Sequence, residues 1–235
     1  MTIKIGVIVR ARDEEHRVRQ FCESYRDADK ILLADGGSVD KTKEFAREFS
    51  NVEIRDFLGR TPMLNGHWRN NDSDHVNFLI AWANECKFDW ILWDDMDCRP
   101  NYLARQNYRK ILEETSQDFL MIRRLYLWGL DMHFPMMAEP GASIWGWRST
   151  QDFWTVDIPP AFDFRVGDTK VRDLAGQFKV KELEYPYCVL HFSWDDSERV
   201  KQKVKFYRES GLIPGQLHPL GFAGRLEVLP EFAHE

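Results

Sequence analysis

Short apolar runs recur along the first hundred residues, and a stretch with helical spacing separates each run from the next. The runs are rich in β-branched and large apolar residues, which is typical of strands covered on both faces of a sheet. The predicted strands are Ile3–Val9, Lys30–Ala34, Val52–Phe57 and Trp90–Trp93, and the predicted helices run from Asp13 to about Tyr25, from Lys41 to Phe49, and to Cys86. Alternation of strand and helix predicts a parallel sheet with right-handed crossovers.

Polar residues mark where the predicted helices begin. Acidic residues open the first helix at Asp13, Ser38 is predicted to cap the second, and Ser73 or Asp74 to cap the third. The segment Leu58–Asn71 is rich in Gly, Pro, Asn and Arg, so it is predicted to be a loop near a functional site.

The pattern becomes less regular after residue 101. It predicts a helix to about Glu114, a strand near Phe119–Arg123 and a helix over Ser197–Ser210, while the Trp-, Met- and Pro-rich region up to Phe164 has no clear period. The expected fold class is α/β, with a mostly parallel central sheet and an elaborated C-terminal half. We expect one domain spanning residues 1–235.

Composition narrows the possible functions. The chain has 235 residues, 43% of them hydrophobic, and a formal net charge of -6, which argues against attachment to nucleic acid or anionic membrane by bulk charge. Its four cysteines lack Cys-x-x-Cys spacing, so neither a zinc knuckle nor a disulfide framework is indicated. The first strand begins at Ile3 and no apolar run is long enough for a transmembrane segment, so we expect a cytoplasmic protein.

The fourth apolar run ends in three carboxylates within four positions, Asp94, Asp95 and Asp97. Ligands of open α/β sheets usually bind at the carboxyl ends of the strands. Asp95 and Asp97 lie two positions apart, so their side chains share a face of an extended segment. Such a pair suits a hard divalent metal that neutralises a bound diphosphate, whereas the alternative is a solvated acidic turn.

Three motifs in order resemble those of family 2 glycosyltransferases of the GT-A fold. They are Val7–Glu15 (VIVRARDEE), Asp35–Thr42 (DGGSVDKT) and the DXD motif Asp95-Met96-Asp97. The resemblance covers roughly the first hundred residues well and the remainder weakly. It implies a GT-A type three-layer sandwich in which residues 1–100 hold a nucleotide-diphosphate sugar and residues 101–235 hold the acceptor.

The resemblance also implies roles for the first two motifs. Ala11, Arg12 and Glu14 are expected along the nucleoside, and Asp35 at the uracil edge, where a carboxylate accepts from an imide N–H. Gly36 and Gly37 lack Cβ atoms and permit close approach of the backbone. The alternatives are an Asx turn for Asp35 and a tight turn for the glycines. Asp13 stands where the family more often has Asn.

For the metal, the resemblance assigns Asp97 to direct coordination of Mn²⁺ or Mg²⁺ and Asp95 to the ribose or a metal-bound water. Asp94 is expected to support the site or the strand end. His191 follows the apolar run Tyr187–Leu190, and many GT-A enzymes supply a late histidine ligand, so it is the third metal candidate. The alternative for His191 is a buried histidine bonded to backbone.

An inverting transferase needs a carboxylate to accept the proton of the acceptor hydroxyl. The family's Glu-Asp motif is not legible here. Asp163 is the first candidate, because an acid between two phenylalanines is partly desolvated and more basic, and Asp168 is the second. Asp157 and Glu139 are weaker candidates.

Other residues have a structural and a functional interpretation. Trp128, Trp145, Trp147 and Trp154 are expected mostly in the core, although such rings also stack on sugars and bases. The predicted last helix is basic, which is usual for a solvated face but also suits a diphosphate or an anionic acceptor; its cations are Arg199, Lys201, Lys203, Lys205 and Arg208.

The sequence therefore predicts a metal-dependent glycosyltransferase that moves a sugar from a nucleotide donor, UDP-linked by preference, to an acceptor hydroxyl with inversion. Two alternatives remain, a nucleotide-sugar-binding module without turnover and a sugar nucleotidyltransferase. A sugar nucleotidyltransferase would require a glycine-rich phosphate loop after the first strand. Arg10–Glu15 contains no glycine, which argues against this alternative. A glycan, a small molecule, a protein and hydroxymethylated DNA all remain open as acceptors.

Overall fold

The structure is a computed structural model, which describes residues 2–62, 68–70, 72–128, 132–134, 142–158, 161–170, 178–194 and 227–228. Within these ranges, the side chains of residues 60–62, 68–70, 126–128, 132–134, 157–158, 161–163, 193–194 and 227–228 are not described.

Four helices and fifteen strands are present in these ranges. The helices are α1 (Val18–Ser24), α2 (Thr42–Ala46), α3 (Asp72–Cys86) and α4 (Tyr102–Glu114). The strands of the first half are β1 (Ile5–Ala11), β2 (Lys30–Asp35), β3 (Val52–Asp56), β4 (Arg60–Pro62), β5 (Trp68–Asn70), β6 (Trp90–Trp93) and β7 (Cys98–Pro100). Those of the second half are β8 (Phe119–Trp128), β9 (Met132–Phe134), β10 (Ser143–Arg148), β11 (Phe153–Ile158), β12 (Ala161–Val166), β13 (Thr169–Lys170), β14 (Val180–Trp194) and β15 (Glu227–Val228).

The N-terminal half is a parallel block in the order β3-β2-β1-β6. Ala11 at the end of β1 pairs with Asp35 at the end of β2, and Ile8 pairs with Trp93 at the end of β6. Because the strands are parallel, their carboxyl ends meet at one edge of the sheet. The predicted alternation of strand and helix is confirmed.

The C-terminal half extends the same sheet with mixed pairing. β10 joins β6 antiparallel, β8 pairs antiparallel with β10, and the long β14 runs parallel to β8 and antiparallel to β7. β11, β12 and β13 form a separate antiparallel sheet, and β4 pairs with β5. The predicted α/β class, with a mostly parallel central sheet and an elaborated C-terminal half, is confirmed.

Two apolar clusters, one on each face of the sheet, make three layers. Side chains alternate along β1, so Val7 and Val9 face α1, α2 and α4, whereas Ile8 faces α3 and the small sheet. Tyr25 and Tyr108 are fully buried on the first face, and Trp82 and Trp147 on the second. Burial on both faces explains why these strands are apolar throughout.

Helix boundaries differ from the predictions for local reasons. α1 begins at Val18 rather than near Asp13, because Asp13 has a φ of 55° and its N–H donates to Ser38 Oγ at 2.9 Å. Ser38 is therefore not the predicted cap of α2. That helix starts at Thr42, whose N–H donates to Asp40 Oδ1 at 2.9 Å.

Three further elements depart from the predicted bounds. α3 begins at Asp72, so Ser73 and Asp74 lie in its first turn instead of capping it. The predicted loop Leu58–Asn71 contains the β4–β5 hairpin. The strand predicted over Phe119–Arg123 continues to Trp128, because β14 pairs along most of its length.

Some predictions fall on residues outside the described ranges. These are the helix over 197–210 with its basic residues, Glu139, and the side chains of Trp128, Asp157 and Asp163. Among the helices that are described, none is long and apolar enough to cross a membrane.

Candidate active site

The carboxyl edge of the parallel block gathers the residues singled out in the sequence. Asp35 ends β2, Ala11 ends the central β1, and Asp95 and Asp97 follow β6 on the other side of β1. Adjacent strands lie about 4.8 Å apart, so two strand spacings place the Asp35 end and the β6 end about 10 Å from each other. One extended ligand laid across β1 can therefore contact both ends.

Asp35 is fully buried and uses its two carboxylate oxygens differently. Oδ2 accepts hydrogen bonds from the backbone N–H groups of Gly37 at 3.0 Å and Ser38 at 2.9 Å, and the Lys43 ammonium lies 3.5 Å away. Oδ1 is buried and has no hydrogen-bond partner among the described residues. The Asx-turn interpretation is thus right for one oxygen, and the other is a buried acceptor whose missing partner needs an explanation.

The loops after β1 and β2 are held together by reciprocal hydrogen bonds. Asp13 Oδ1 accepts from Val39 N–H at 2.8 Å, and Glu15 Oε2 accepts from Lys41 N–H at 3.1 Å. Gly37 has a φ of 88°, which is accessible to glycine without strain. Asp13 keeps the acceptor that an Asn would supply and is one of the residue types that tolerate its positive φ.

The three first-motif residues lie differently in this loop. Ala11 is buried, and its carbonyl accepts from Gly36 N–H at 2.8 Å. The Arg12 side chain is 43% exposed, and its Nε lies 3.9 Å from Asp13 Oδ2. Glu14 lies 3.7 Å from the guanidinium of Arg17, and Arg17 also donates to the carbonyl of Phe192.

Asp94 belongs to a buried polar network beneath the site. Its Oδ2 accepts from the Tyr25 hydroxyl and, at 3.1 Å, from Trp145 Nε1, and its Oδ1 forms an ion pair with Arg124 at 3.0 Å. Burial raises the pKa of Asp94 to about 6, against the opposing charge of Arg124 and the Tyr25 hydrogen bond. Asp94 therefore attaches the turn after β6 to the protein interior rather than facing a ligand.

Asp95 is partly exposed and faces Arg10. Its Oδ1 accepts from Arg10 Nε and Nη2, both at 3.2 Å, and the Arg10 guanidinium also pairs with Asp72 at 2.6 Å. Burial by itself lowers the pKa of Arg10, but the charges of Asp95 and Asp72 outweigh it and leave the pKa raised. The described hydrogen bonds of the Asp95 side chain are thus made with the Arg10 guanidinium, near the end of β1.

Asp97 and His191, the residues that were predicted to be metal ligands, lie next to each other. His191 Nε2 lies 3.3 Å from Asp97 Oδ2, and Cys98 Sγ lies 3.9 Å from Asp97 Oδ1. Ligand atoms of these three residues all lie within 4.8 Å of one another. β14 brings His191 there by pairing with Cys98 on β7, and the Phe192 N–H donates to the Asp97 carbonyl at 2.7 Å.

The two candidate bases have different surroundings. Asp163 lies on β12 opposite Val156, and the next residue, Phe164, packs edge-on against Trp93 at the end of β6, with ring centroids 6.1 Å apart. Asp168 is exposed in the β12–β13 turn, where the neighbouring Gly167 N–H donates to the Asp152 carbonyl. The described contacts of that turn lie away from Asp95 and Asp97.

The tryptophans are mostly structural, as expected. Trp145 and Trp147 are fully buried, and Trp147 stacks on Phe153 with ring centroids 4.0 Å apart. Trp154 is 36% exposed, and its Nε1 donates to the Gly167 carbonyl at 2.7 Å.

Sequence reasoning missed Arg10, Arg124 and Cys98. A signal existed for Arg10, the only charged residue within the apolar run Ile5–Ala11, and for Arg124, inside an otherwise largely apolar strand. A charge within a buried strand implies a partner. Cys98 gave no separate signal, because only the pairing of β7 with β14 reveals its position opposite His191.

Comparison with known proteins supports the fold. No protein-family model matches the chain, and neither does any curated protein sequence at a significant level. Among solved structures, S. aureus TarS 1–349 in complex with UDP-GlcNAc is 12% identical, with a TM-score of 0.55 over 84% of this chain and 61% of that one. Glucosyl-3-phosphoglycerate synthase from Mycobacterium tuberculosis in complex with phosphoglyceric acid is 13% identical, with a TM-score of 0.50 over 97% and 87%.

These neighbours are glycosyltransferases of the GT-A fold, so this chain has the GT-A fold that its motifs resemble. The chain spans about three fifths of the length of the TarS fragment that it matches.

His75 on α3 lies behind Asp35 and yields a pH prediction. Its Nε2 lies 3.0 Å from the Ala34 carbonyl, and its ring stacks on Phe57 with centroids 4.4 Å apart. Burial lowers the pKa of His75 from 6.5 to about 4. The folded protein therefore binds fewer protons than the unfolded chain between these values, and the stability present above pH 6.5 is lost as the pH falls towards 4.

We expect His75→Gln to flatten this dependence. Across that window the free energy of unfolding of the wild type should fall by up to about 3 kcal/mol more than that of the variant, as measured by urea denaturation. His16→Gln is the control, since that side chain is 42% exposed. If the free energy of unfolding changed equally with pH in the wild type and in His75→Gln, the lowered pKa of His75 would be contradicted.

Proposed function

We propose that this protein is a glycosyltransferase that moves a sugar from a UDP-linked donor to an acceptor hydroxyl. One observation carries the proposal: Asp35, whose buried Oδ1 has no hydrogen-bond partner among the described residues, and the Asp97–His191 pair lie at the same edge of the sheet. TarS has this fold and binds UDP-GlcNAc in its solved complex, which supports a nucleotide-sugar donor.

Asp35 is proposed to select the nucleobase. A carboxylate oxygen accepts hydrogen bonds only, so it complements the imide N–H of uracil, whereas the corresponding ring nitrogen of cytosine is itself an acceptor. The other oxygen already accepts from the N–H groups of Gly37 and Ser38, and these two bonds fix the orientation of the carboxylate before a base binds. Ala11, Arg12, Glu14 and Gly37 are proposed to flank the nucleoside.

The residues beyond β1 fit a divalent cation. Asp97 and His191 offer an oxygen and a nitrogen donor 3.3 Å apart, a separation that lets both contact one ion. We propose Mn²⁺ or Mg²⁺ there, and its chemistry is to neutralise the charge on the donor's diphosphate. Asp95 is assigned to the ribose or to a water on the ion, with Arg10 holding its carboxylate in place.

Asp163 is proposed as the base that accepts the proton of the acceptor hydroxyl, which gives inversion at the anomeric carbon. The support is the position of its strand: β12 carries Phe164, which contacts Trp93 immediately before the acidic turn. The exposed turn of Asp168 has no described contact with that turn, so Asp168 is the weaker candidate.

The nucleobase proposal is tested by UDP affinity. We expect Asp35→Asn to weaken UDP binding roughly tenfold or more, because an amide in place of a buried carboxylate removes a charge-assisted hydrogen bond. Asp56→Asn is the matched control: Asp56 pairs with Asp35 across the strands and contacts the same Lys43, but its side chain is 58% exposed. Isothermal titration calorimetry measures both, and equal affinities of the two variants would argue against a base contact.

Turnover is tested by hydrolysis of UDP-sugars by the purified protein with Mn²⁺. We expect Asp97→Asn to reduce the rate at least roughly 100-fold through loss of a metal ligand, and the control Asp152→Asn, exposed in another loop, to leave it unchanged. Binding of UDP with no hydrolysis or transfer under any condition would instead support a binding module.

The base is tested in a transfer assay, once a sugar-accepting alcohol has been found by screening. Asp163→Asn should abolish transfer while UDP affinity is retained, and Asp168→Asn should transfer normally. The reverse pattern would reassign the base to Asp168.

A further inference from the structure

We propose that Cys98 is a third ligand of the cation held by Asp97 and His191, so that the site prefers thiophilic divalent ions such as Co²⁺ and Zn²⁺ to Mg²⁺. The inference rests on the proposed function for the existence of a cation at this site. It goes beyond that function by assigning a new ligand and the class of metal.

Strand pairing brings the thiol to the site. Cys98 on β7 and His191 on β14 are direct antiparallel partners, which places their side chains on the same face of the sheet. Asp97 precedes Cys98 in a turn, and its carbonyl is held by the Phe192 N–H at 2.7 Å. The ligand atoms of the three residues therefore converge within 4.8 Å without any change of backbone.

The donor set determines the class of ion. A carboxylate oxygen, an imidazole nitrogen and a sulfur form a mixed site, whereas Mg²⁺ prefers oxygen ligands in a nearly ideal octahedron. Affinity of such mixed sites rises from Mn²⁺ through Co²⁺ to Zn²⁺. Three protein ligands also leave room for a substrate oxygen, as in catalytic zinc sites.

Arg124 holds the sulfur in position. Its Nη1 donates to Cys98 Sγ at 3.0 Å, its Nη2 pairs with Asp94 at 3.0 Å, and its Nε donates to Ser143 Oγ at 2.8 Å. A guanidinium fixed at three points is a rigid support that fixes the position of the sulfur beside Asp97 and His191. The buried network thus has a direct connection to the metal group.

Asp95 does not compete for this place. Its carboxylate is bonded to Arg10, and no atom of Asp95 belongs to the converging group. The ligand set is therefore assembled from Asp97, Cys98 and His191 rather than from the Asp-x-Asp pair alone.

Titration with Co²⁺ tests the assignment, because a Co²⁺–thiolate bond gives a near-ultraviolet charge-transfer band. We expect the band in the wild type, its loss in Cys98→Ala, and its retention in Cys188→Ala, the matched control at another fully buried cysteine. By calorimetry, Cys98→Ala should lower Zn²⁺ affinity roughly tenfold or more and change Mg²⁺ affinity little. Circular dichroism confirms that each variant folds.

UDP binding with Mn²⁺, measured on the same samples, separates this inference from the proposed function. Co²⁺ binding without the band, or a band that persists in Cys98→Ala, overturns the role of Cys98. In that case, metal-dependent UDP binding would still support the proposed function. Absence of both Co²⁺ and UDP binding in the wild type overturns both.

Discussion

The pairing of β1 with both β2 and β6 is the constraint on which the rest of this structure depends. It brings three strand ends to one edge, with Ala11 beside Asp35 on one side and the acidic turn beyond Ile8 and Trp93 on the other. Because a shift of one residue would move every side chain to the opposite face, the apolar residues of the two clusters hold this register. The separation of the two proposed binding regions is therefore a consequence of core packing.

Two sets of hydrogen bonds hold polar groups in place near that edge, one between the loops and one in the buried network around Asp94. On one side of the edge, the loops after β1 and β2 bond to each other through Asp13 and Ser38, next to Asp35, whose buried Oδ1 lacks a hydrogen-bond partner among the described residues. In the buried network, the guanidinium of Arg124 contacts both Asp94 and Cys98. Removing one member of a buried ion pair generally costs on the order of 3–5 kcal/mol, so this support and the fold are coupled energetically.

Local pattern was sufficient to predict the four parallel strands β1, β2, β3 and β6, because each coincides with a short run rich in apolar residues, but it did not predict the short strands β4, β5 and β7. It also placed Asp35 and Asp97 at strand ends and chose His191, which the structure brings to Asp97. The local pattern did not predict side-chain positions that are determined by contacts between residues distant in the chain. Ser38 bonds to Asp13 instead of capping α2, and the bond between Asp95 and Arg10 was not anticipated, since both contacts join residues distant in the chain. The same holds for Cys98, whose neighbour is His191 only through β14.

The central claim is that one ligand spans β1, with its base at Asp35 and its diphosphate at a cation held beyond β6. Calorimetric titration of UDP and of uridine, each with and without Mn²⁺, tests this most directly, because coupling between two sites is a measurable free energy. We expect Mn²⁺ to raise the affinity for UDP at least roughly tenfold and to leave the affinity for uridine unchanged. Equal affinity for UDP with and without the ion, or an equal effect of the ion on uridine, would contradict the account.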